Sequence, residues 1–512
     1  MDTFRYLSLI LLAAICQVKG DLSELEECFE DPEYEELFNI AKYGLPRSKT
    51  VRHKKSIIIV GAGMAGLSAA KALQDAGHTV TVLEASNRIG GRVETYRDPE
   101  GWYAELGPMR LPTPHRIVRE YIQQLGLKLN PFITSDVDNL YLFNNIRRTQ
   151  KQVMDRPNEF QFDLTPAEEQ KSVAALYAES VERLLNQMNG KDCSEILDRF
   201  DETSKQGFLV EEGSLSRGAI QMLGNYMNMN GQYYVSFIES IMGEIIFNNS
   251  RFDEITGGFD QLPLELYRRL GQNVVHLNAT VERITQRQKT VIVQYRKNNS
   301  SFLTSLAADY VIVTATAKAA RRINFTPPLS HSKNDAMSFV HYVSATKILL
   351  VCNERFWERD EIVGGRSSTD RPARYVFYPS HNFTGGKDVL LASYTLADDS
   401  MYFASLSDEE CFKEMLEDLE ALHKIPKEEI RKMCPRVLVK KWSLDPYSMG
   451  GFAYFTPYQF GDLYDALSKP EGRIFFGGEH ASIPHGWIDT AIKSGLKAAR
   501  EIHKDANMMF HG

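Results

Sequence analysis

Positive charge is in short supply in this sequence: 59 lysines and arginines face 67 aspartates and glutamates, leaving a formal net charge of -8. A surface built to neutralise phosphates carries a basic footprint, so nucleic-acid binding is not expected. An apolar run long enough for a membrane span is missing too. The stretch from Leu7 to Ile15 falls short of the roughly 20 residues that cross a bilayer, and the acidic run from Asp21 to Glu36 gives no stop-transfer pattern. With Arg5 ahead of it and a polar end at Gly20 behind it, that stretch reads as a secretory signal over residues 1–20. Internal repeats and low-complexity tracts are absent, and nothing at the C-terminus resembles an ER-retention signal. A composition of 43% hydrophobic and 25% charged residues over 512 positions shows no sign of disorder. Two or three folded domains with substantial cores are expected.

Cysteine is sparse, at six. Loss of the signal, with Cys16, would leave Cys28, Cys193, Cys352, Cys411 and Cys434. In an oxidising compartment an odd set predicts two disulfides and one spare thiol, with the pairing open. Sequons begin at Asn248, Asn278, Asn298, Asn299, Asn324 and Asn382, which suits an extracellular chain.

What is present is a nucleotide-binding pattern. A β-branched run from Ser56 to Val60 ends in Gly61, Ala62, Gly63, Met64, Ala65, Gly66, and helical spacing follows from Met64 to Ala76. The first glycine permits a tight turn, the second lets backbone N–H groups approach a pyrophosphate, and the third lets the helix pack closely on the sheet. A second strand, Thr79 to Leu83, leads to Glu84, about 20 residues on, where a carboxylate accepts ribose hydroxyls. Arg88, Gly90, Gly91 and Arg92 add a second glycine pair whose flanking guanidinium groups suit the remaining pyrophosphate charge. Near the other end of the chain, Phe475 to Glu479 and then Gly486, Trp487, Ile488, Asp489 and Thr490 give another strand, glycine turn and helix start. A cofactor contacted from both ends of the chain is a long one, FAD rather than NAD.

Between these ends, Thr165 to Gln187 predicts an amphipathic helix inside a strand-poor segment, a helical insertion. Strands are expected at Thr290 to Tyr295, Tyr310 to Thr314 and Arg473 to Phe476, a separate strand-rich section runs from Lys347 to Tyr394, and Ile488 to Ile502 reads as helix. The fold class is α/β: a doubly wound, Rossmann-like core interrupted by a mixed-sheet substrate domain and the helical insertion. Its segments are residues 54–92, 250–340 and 443–505 for the cofactor domain. Residues 21–45, 93–149 and 341–442 form the substrate domain, and 150–249 the helical one.

The stretches Gly101 to Pro112, Tyr233 to Ser240, Arg251 to Leu262, Trp442 to Gly451 and His485 to Gly495 are similar to the flavin-containing amine oxidase superfamily, and within it to the secreted L-amino-acid oxidases of venom and immune cells. The resemblance spans nearly the whole mature chain. It implies that an L-amino acid loses hydride to FAD, that the imino acid hydrolyses to a 2-oxo acid and ammonia, and that O2 reoxidises the flavin to give hydrogen peroxide, a product toxic to microbes and cells. It implies Arg110 as a clamp for the substrate carboxylate, helped by Tyr394, with Gly486 and Trp487 beside the substrate amine and Lys347 holding a water near the flavin. Further FAD contacts implied are Met64, Ala65, Ala85, Gly107, Pro108, Met109, Val281, Trp442, Glu479 and Ala491; no metal is implied. The family pattern pairs Cys28 with Cys193 and Cys352 with Cys434, leaves Cys411 free, and is commonly dimeric or larger.

One residue of that pattern is missing. Where the venom-type enzymes carry a histidine soon after the Tyr233 to Ser240 stretch, this chain has Gly243. The loss opens space, and with Glu244 next to it a shift towards long or basic substrates such as L-lysine is expected. The nearest rival reading is a secreted amine or polyamine oxidase, which needs no carboxylate clamp; the other is a secreted binding glycoprotein whose flavin is only structural.

Overall fold

The structure is a computed structural model that describes residues 28–46, 54–153, 158–188, 192–248, 250–271, 273–383 and 385–508. The expected secretory signal and the side chain of Asn248 lie outside the described residues.

Five parallel strands form one sheet in the spatial order Val275–His276, Thr79–Leu83, Ser56–Val60, Tyr310–Val313, Ile474–Phe476. Counted along the chain this is 3-2-1-4-5, the doubly wound order whose direction reverses between the Ser56 and Tyr310 strands. Because such a sheet is covered on both faces, its central strand is apolar and buried from Ile57 to Val60. Ile57 and Ile59 pack with Leu67, Leu73 and Ala498 on one side, and Ile58 and Val60 with Val281, Ile284 and Val293 on the other. The strand Ala279–Gln286 belongs to the four-stranded sheet on that second side.

The strand-rich section forms a seven-stranded mixed sheet in the order Arg436–Lys441, Ala345–Cys352, Asp388–Leu396, Tyr375–Phe377, Arg366–Thr369, Leu140–Phe143, Ile146–Thr149. Its strand Ala345–Cys352 is buried along its length. Alternation sends Ile348 and Leu350 towards the helix Asp408–His423, and Leu349 and Val351 towards Trp102 and Phe377. Lys347 has the parity of that second face.

The strand-poor segment folds as the helices Val173–Met188, Cys193–Asp201, Lys205–Glu211, Arg217–Met227 and Phe237–Asn248 around their own apolar core. Asp192, Ser204 and Ser216 each accept a backbone N–H from the first turn of the helix they precede. The helix expected from Thr165 begins only at Val173. The Glu168 carboxylate accepts from Thr165 N and Oγ1 and also from Ser216 N and Oγ, so a tertiary tie holds the preceding residues in a turn.

Both implied disulfides form, Cys28–Cys193 and Cys352–Cys434, and Cys411 is free and buried. Asn278, Asn298, Asn299, Asn324 and Asn382 are exposed. Among the described residues no helix is long and apolar enough to cross a membrane.

Candidate active site

The glycine turn lies at the carboxyl end of the central strand, where the strand order reverses. A Cβ on Gly66 would stand 2.0 Å from Gly61 O, and one on Gly61 would stand 2.9 Å from Thr314 Oγ1. Neither position has room for a side chain. A Cβ on Gly63 would meet nothing within 4 Å. Gly63 is also the N-cap of the helix Met64–Asp75 and offers it no side-chain cap, so open space remains in front of unpaired first-turn N–H groups, where a pyrophosphate fits. The buried Glu84 carboxylate closes this end: Oε2 accepts Ala62 N at 2.7 Å and Oε1 accepts Ser86 N at 2.9 Å. Ala85 is half-buried beside it, and Val281 is buried.

The C-terminal helix Ile488–Met508 crosses this turn so closely that a Cβ on Gly495 would stand 2.2 Å from Ala65 O. Glu479 organises the approach to that helix. Its Oε1 accepts Gly486 N at 2.8 Å and Ala453 N at 2.9 Å, and its Oε2 accepts Arg92 Nη1 at 2.8 Å. The Arg92 carbonyl presses on Gly107, where a Cβ would stand 2.0 Å away. Trp442 Nε1 donates to Leu106 O at 2.7 Å. Residues 92, 107, 442, 479 and 486, far apart in sequence, therefore form one wall.

Beyond that wall is a cavity of about 440 Å³ whose lining includes Gly107, Pro108, Met109 and Ile488 and all five residues assigned to chemistry: Arg110, Lys347, Tyr394, Gly486 and Trp487. Lys347 and Tyr394 are register partners on neighbouring antiparallel strands, so they share one face, with Nζ 5.1 Å from the phenol ring. Lys347 Nζ donates to Gly107 O at 2.5 Å and Glu105 O at 3.1 Å. Burial pushes the Lys347 ammonium below the usual lysine range, with the Glu105 carboxylate opposing and Arg110 adding to the shift. Arg110 is held by rings, its Cζ lying 4.7 Å from the Phe247 centroid, 5.5 Å from Phe252 and 5.7 Å from Phe377. Burial and the nearby Arg366 lower it to about 10, so it stays cationic at neutral pH. Among the described residues no carboxylate or carbonyl accepts from its guanidinium. Trp487 packs against His115 and Phe247.

Three sequence expectations need correction. Arg88 and Arg92 are not free counter-charges for pyrophosphate: Arg88 pairs with Glu94 and Arg92 with Glu479, each at 2.8 Å. The Asp489 side chain accepts Val118 N at 2.8 Å and Tyr34 Oη at 3.0 Å, tying the N-terminal helix Tyr34–Tyr43 to the core and leaving only its backbone to a cofactor. Thr490 Oγ1 likewise donates to Pro484 O, and Ala491 N to Trp487 O. Finally, Glu244 does reach the cavity but is ion-paired with the buried Lys205 and accepts from Tyr177, so it offers no free charge to a lysine side chain. Space at Gly243 is real, since a Cβ there would meet only Tyr454 Oη at 3.9 Å.

Sequence reasoning missed Arg366, Lys205 and the Glu239–His485 pair, all on the cavity wall. His485 and Glu239 stood inside quoted stretches, but nothing local signals that His485 Nδ1 meets Glu239 Oε2 at 2.7 Å.

The chain matches the family described as flavin containing amine oxidoreductase over residues 64–503. It is 47% identical over 507 residues to the L-amino-acid oxidase of Notechis scutatus scutatus, a match covering 98% of this chain and 97% of that one. It is 48% identical over 506 residues to that of Bothrops atrox, covering 98% and 99%. Among solved structures, putrescine oxidase bound to putrescine has a TM-score of 0.72 at 20% identity, covering 88% of this chain and 99% of that one. Cyclohexylamine oxidase from Brevibacterium oxydans gives 0.70 at 19%, covering 89% and 99%. At such identities the likeness is one of fold.

Proposed function

The chain belongs to the flavin-containing amine oxidoreductases, and on that premise we propose that it is an FAD-dependent L-amino-acid oxidase that turns an L-amino acid, O2 and water into a 2-oxo acid, ammonia and hydrogen peroxide. Bound FAD supplies the two-electron acceptor for the Cα–H. The residues of this chain supply position and charge. Arg110 carries the reading: a half-buried, ring-clamped guanidinium with no protein acceptor among the described residues is matched to a planar carboxylate, which an amine substrate lacks. Tyr394 adds a hydroxyl to that clamp. The Gly486 carbonyl and the Trp487 ring orient the amine, and Lys347 holds a water close to the reacting carbon. The family resemblance gives the missing histidine as a base for the substrate ammonium; with Gly243 in its place, a neutral amine arriving from bulk or a water held by Lys347 suffices for hydride transfer.

The segments given above for the cofactor, substrate and helical domains are part of this reading, as is assembly into a homodimer or larger. So is secretion through residues 1–20, with peroxide as the antimicrobial or cytotoxic product. The two disulfides and five exposed sequons support an extracellular chain. The test is a peroxide assay of the purified holoenzyme over L- and D-amino acids with cadaverine beside L-lysine. Oxidation confined to the L-series is expected; turnover of cadaverine but of no amino acid would make it an amine oxidase.

A further inference from the structure

The charges facing the cavity do not balance. Two carboxylates reach its wall, and each already has a partner: Glu244 pairs with Lys205, and Glu239 meets the His485 imidazole. Lys347 gives its protons to backbone carbonyls. Two guanidinium groups are left, Arg110 and Arg366. The first is accounted for by the substrate's α-carboxylate, and the second has no assigned role.

Arg366 begins the strand Arg366–Thr369, in register with Phe377 on the next strand. Its backbone N–H donates to Asn139 Oδ1 at 2.9 Å, and its Cζ lies 4.5 Å from the Tyr375 ring centroid. Neither contact takes a guanidinium proton. Among the described residues no carboxylate or carbonyl takes its protons. The Phe377 ring, opposite Arg366 in register, is one of the three that clamp Arg110, so the two cations stand along one aromatic wall of one cavity. Stacking on a tyrosine offsets part of a cation's lost hydration, but five fixed donors in a fork remain, the geometry that matches a carboxylate. A half-buried pair of like charges also holds a positive potential over the space between them.

We propose that Arg366 is a second carboxylate subsite, taking the side-chain carboxylate of an acidic L-amino acid while Arg110 holds its α-carboxylate. The inference rests on the reading of Arg110 given above. It runs opposite to the lysine preference expected from Gly243, because an ammonium placed near Arg366 is repelled and Glu244 is already neutralised. The room at Gly243 serves a longer side chain of either sign, and Arg366 sets the sign.

The experiment compares wild-type and Arg366→Gln holoenzymes on L-glutamate, its neutral isostere L-glutamine, and L-leucine, together with thermal shifts on adding glutarate or butyrate. Loss of a hydrogen-bonded charge pair should lower kcat/KM for L-glutamate about tenfold to a hundredfold, with the other two substrates changed by less than about threefold. Glutarate should stabilise the wild type at lower concentration than butyrate, and that gap should close in the variant. An unchanged glutamate-to-glutamine ratio, equal losses on all three substrates, or no difference between glutarate and butyrate overturns the subsite. If no amino acid is turned over, the oxidase reading fails, and the glutarate comparison still decides the subsite.

Discussion

Arg110→Ala is expected to lower kcat/KM for a good L-amino acid by an amount equivalent to about 2–5 kcal/mol, the scale for breaking a buried charge pair. Unchanged kinetics would remove Arg110 from the site. Lys347→Met should retain FAD, as judged by the absorbance of the purified protein, and lower kcat by about a hundredfold or more at saturating substrate. Single residues were legible in sequence only where a motif named them. An arginine at the start of a strand or a lysine at the start of a helix looks the same whether it meets solvent or a cavity, and Arg366 and Lys205 went unread for that reason. Their meaning depends on which partner is absent or present across the fold. The sequence does display Glu244, but it does not display Lys205 beside it.

Elements were read better than residues, because their signals are local. The strands Ser56–Val60 and Thr79–Leu83 fall where the β-branched runs stand, and the glycine turn follows the first. The turn also yields a paired prediction. Gly66→Ala places a Cβ against the Gly61 carbonyl and should cost the fold about 1–3 kcal/mol, seen as a lower melting temperature of the apoprotein. Gly63→Ala meets only open space, so it should leave apoprotein stability unchanged while weakening FAD retention on gel filtration. Equal behaviour of the two variants would mean that the open space before the helix is not the phosphate site. Element ends were read less well. The C-terminal helix runs to Met508 rather than Ile502, and the insertion's first helix starts late because Glu168 is held by Ser216, 48 residues away.

At the scale of the whole molecule, buried histidines set the response to acid. Burial lowers His78 to about 4 and His115 and His480 to about 3, from an ordinary 6.5. The unfolded chain therefore takes up protons below pH 6.5 that the native chain refuses, and stability falls as the pH drops from there towards 4. Asp489 works the other way: burial raises it to about 6, and the penalty of its buried charge is relieved as it protonates. Buried Glu105, raised to about 7, acts in the same sense as Asp489. Three imidazoles against two carboxylates give a melting temperature that decreases from pH 7 to pH 5; a flat or rising profile would show that these imidazoles are already hydrated. The covalent ties act at the same scale. Cys352–Cys434 closes a separation of 82 residues, and replacing both by serine should cost about 2–5 kcal/mol in denaturant unfolding.

By itself the sequence determined the nucleotide-binding core, because Gly61, Gly66 and the strand before them are dictated by short-range sterics and hydrophobic spacing. Through motifs it also singled out Arg110, Lys347 and Tyr394, which the fold brings to one cavity. Only the tertiary structure decided which charges remain free. Arg92 and Glu244 are neutralised by partners that close elsewhere in the fold, Asp489 turns to the N-terminal helix, and Arg110 and Arg366 are left facing one cavity. An ion pair is a contact at a few ångströms between residues that sit far apart in the chain, so spacing along the sequence holds no record of it.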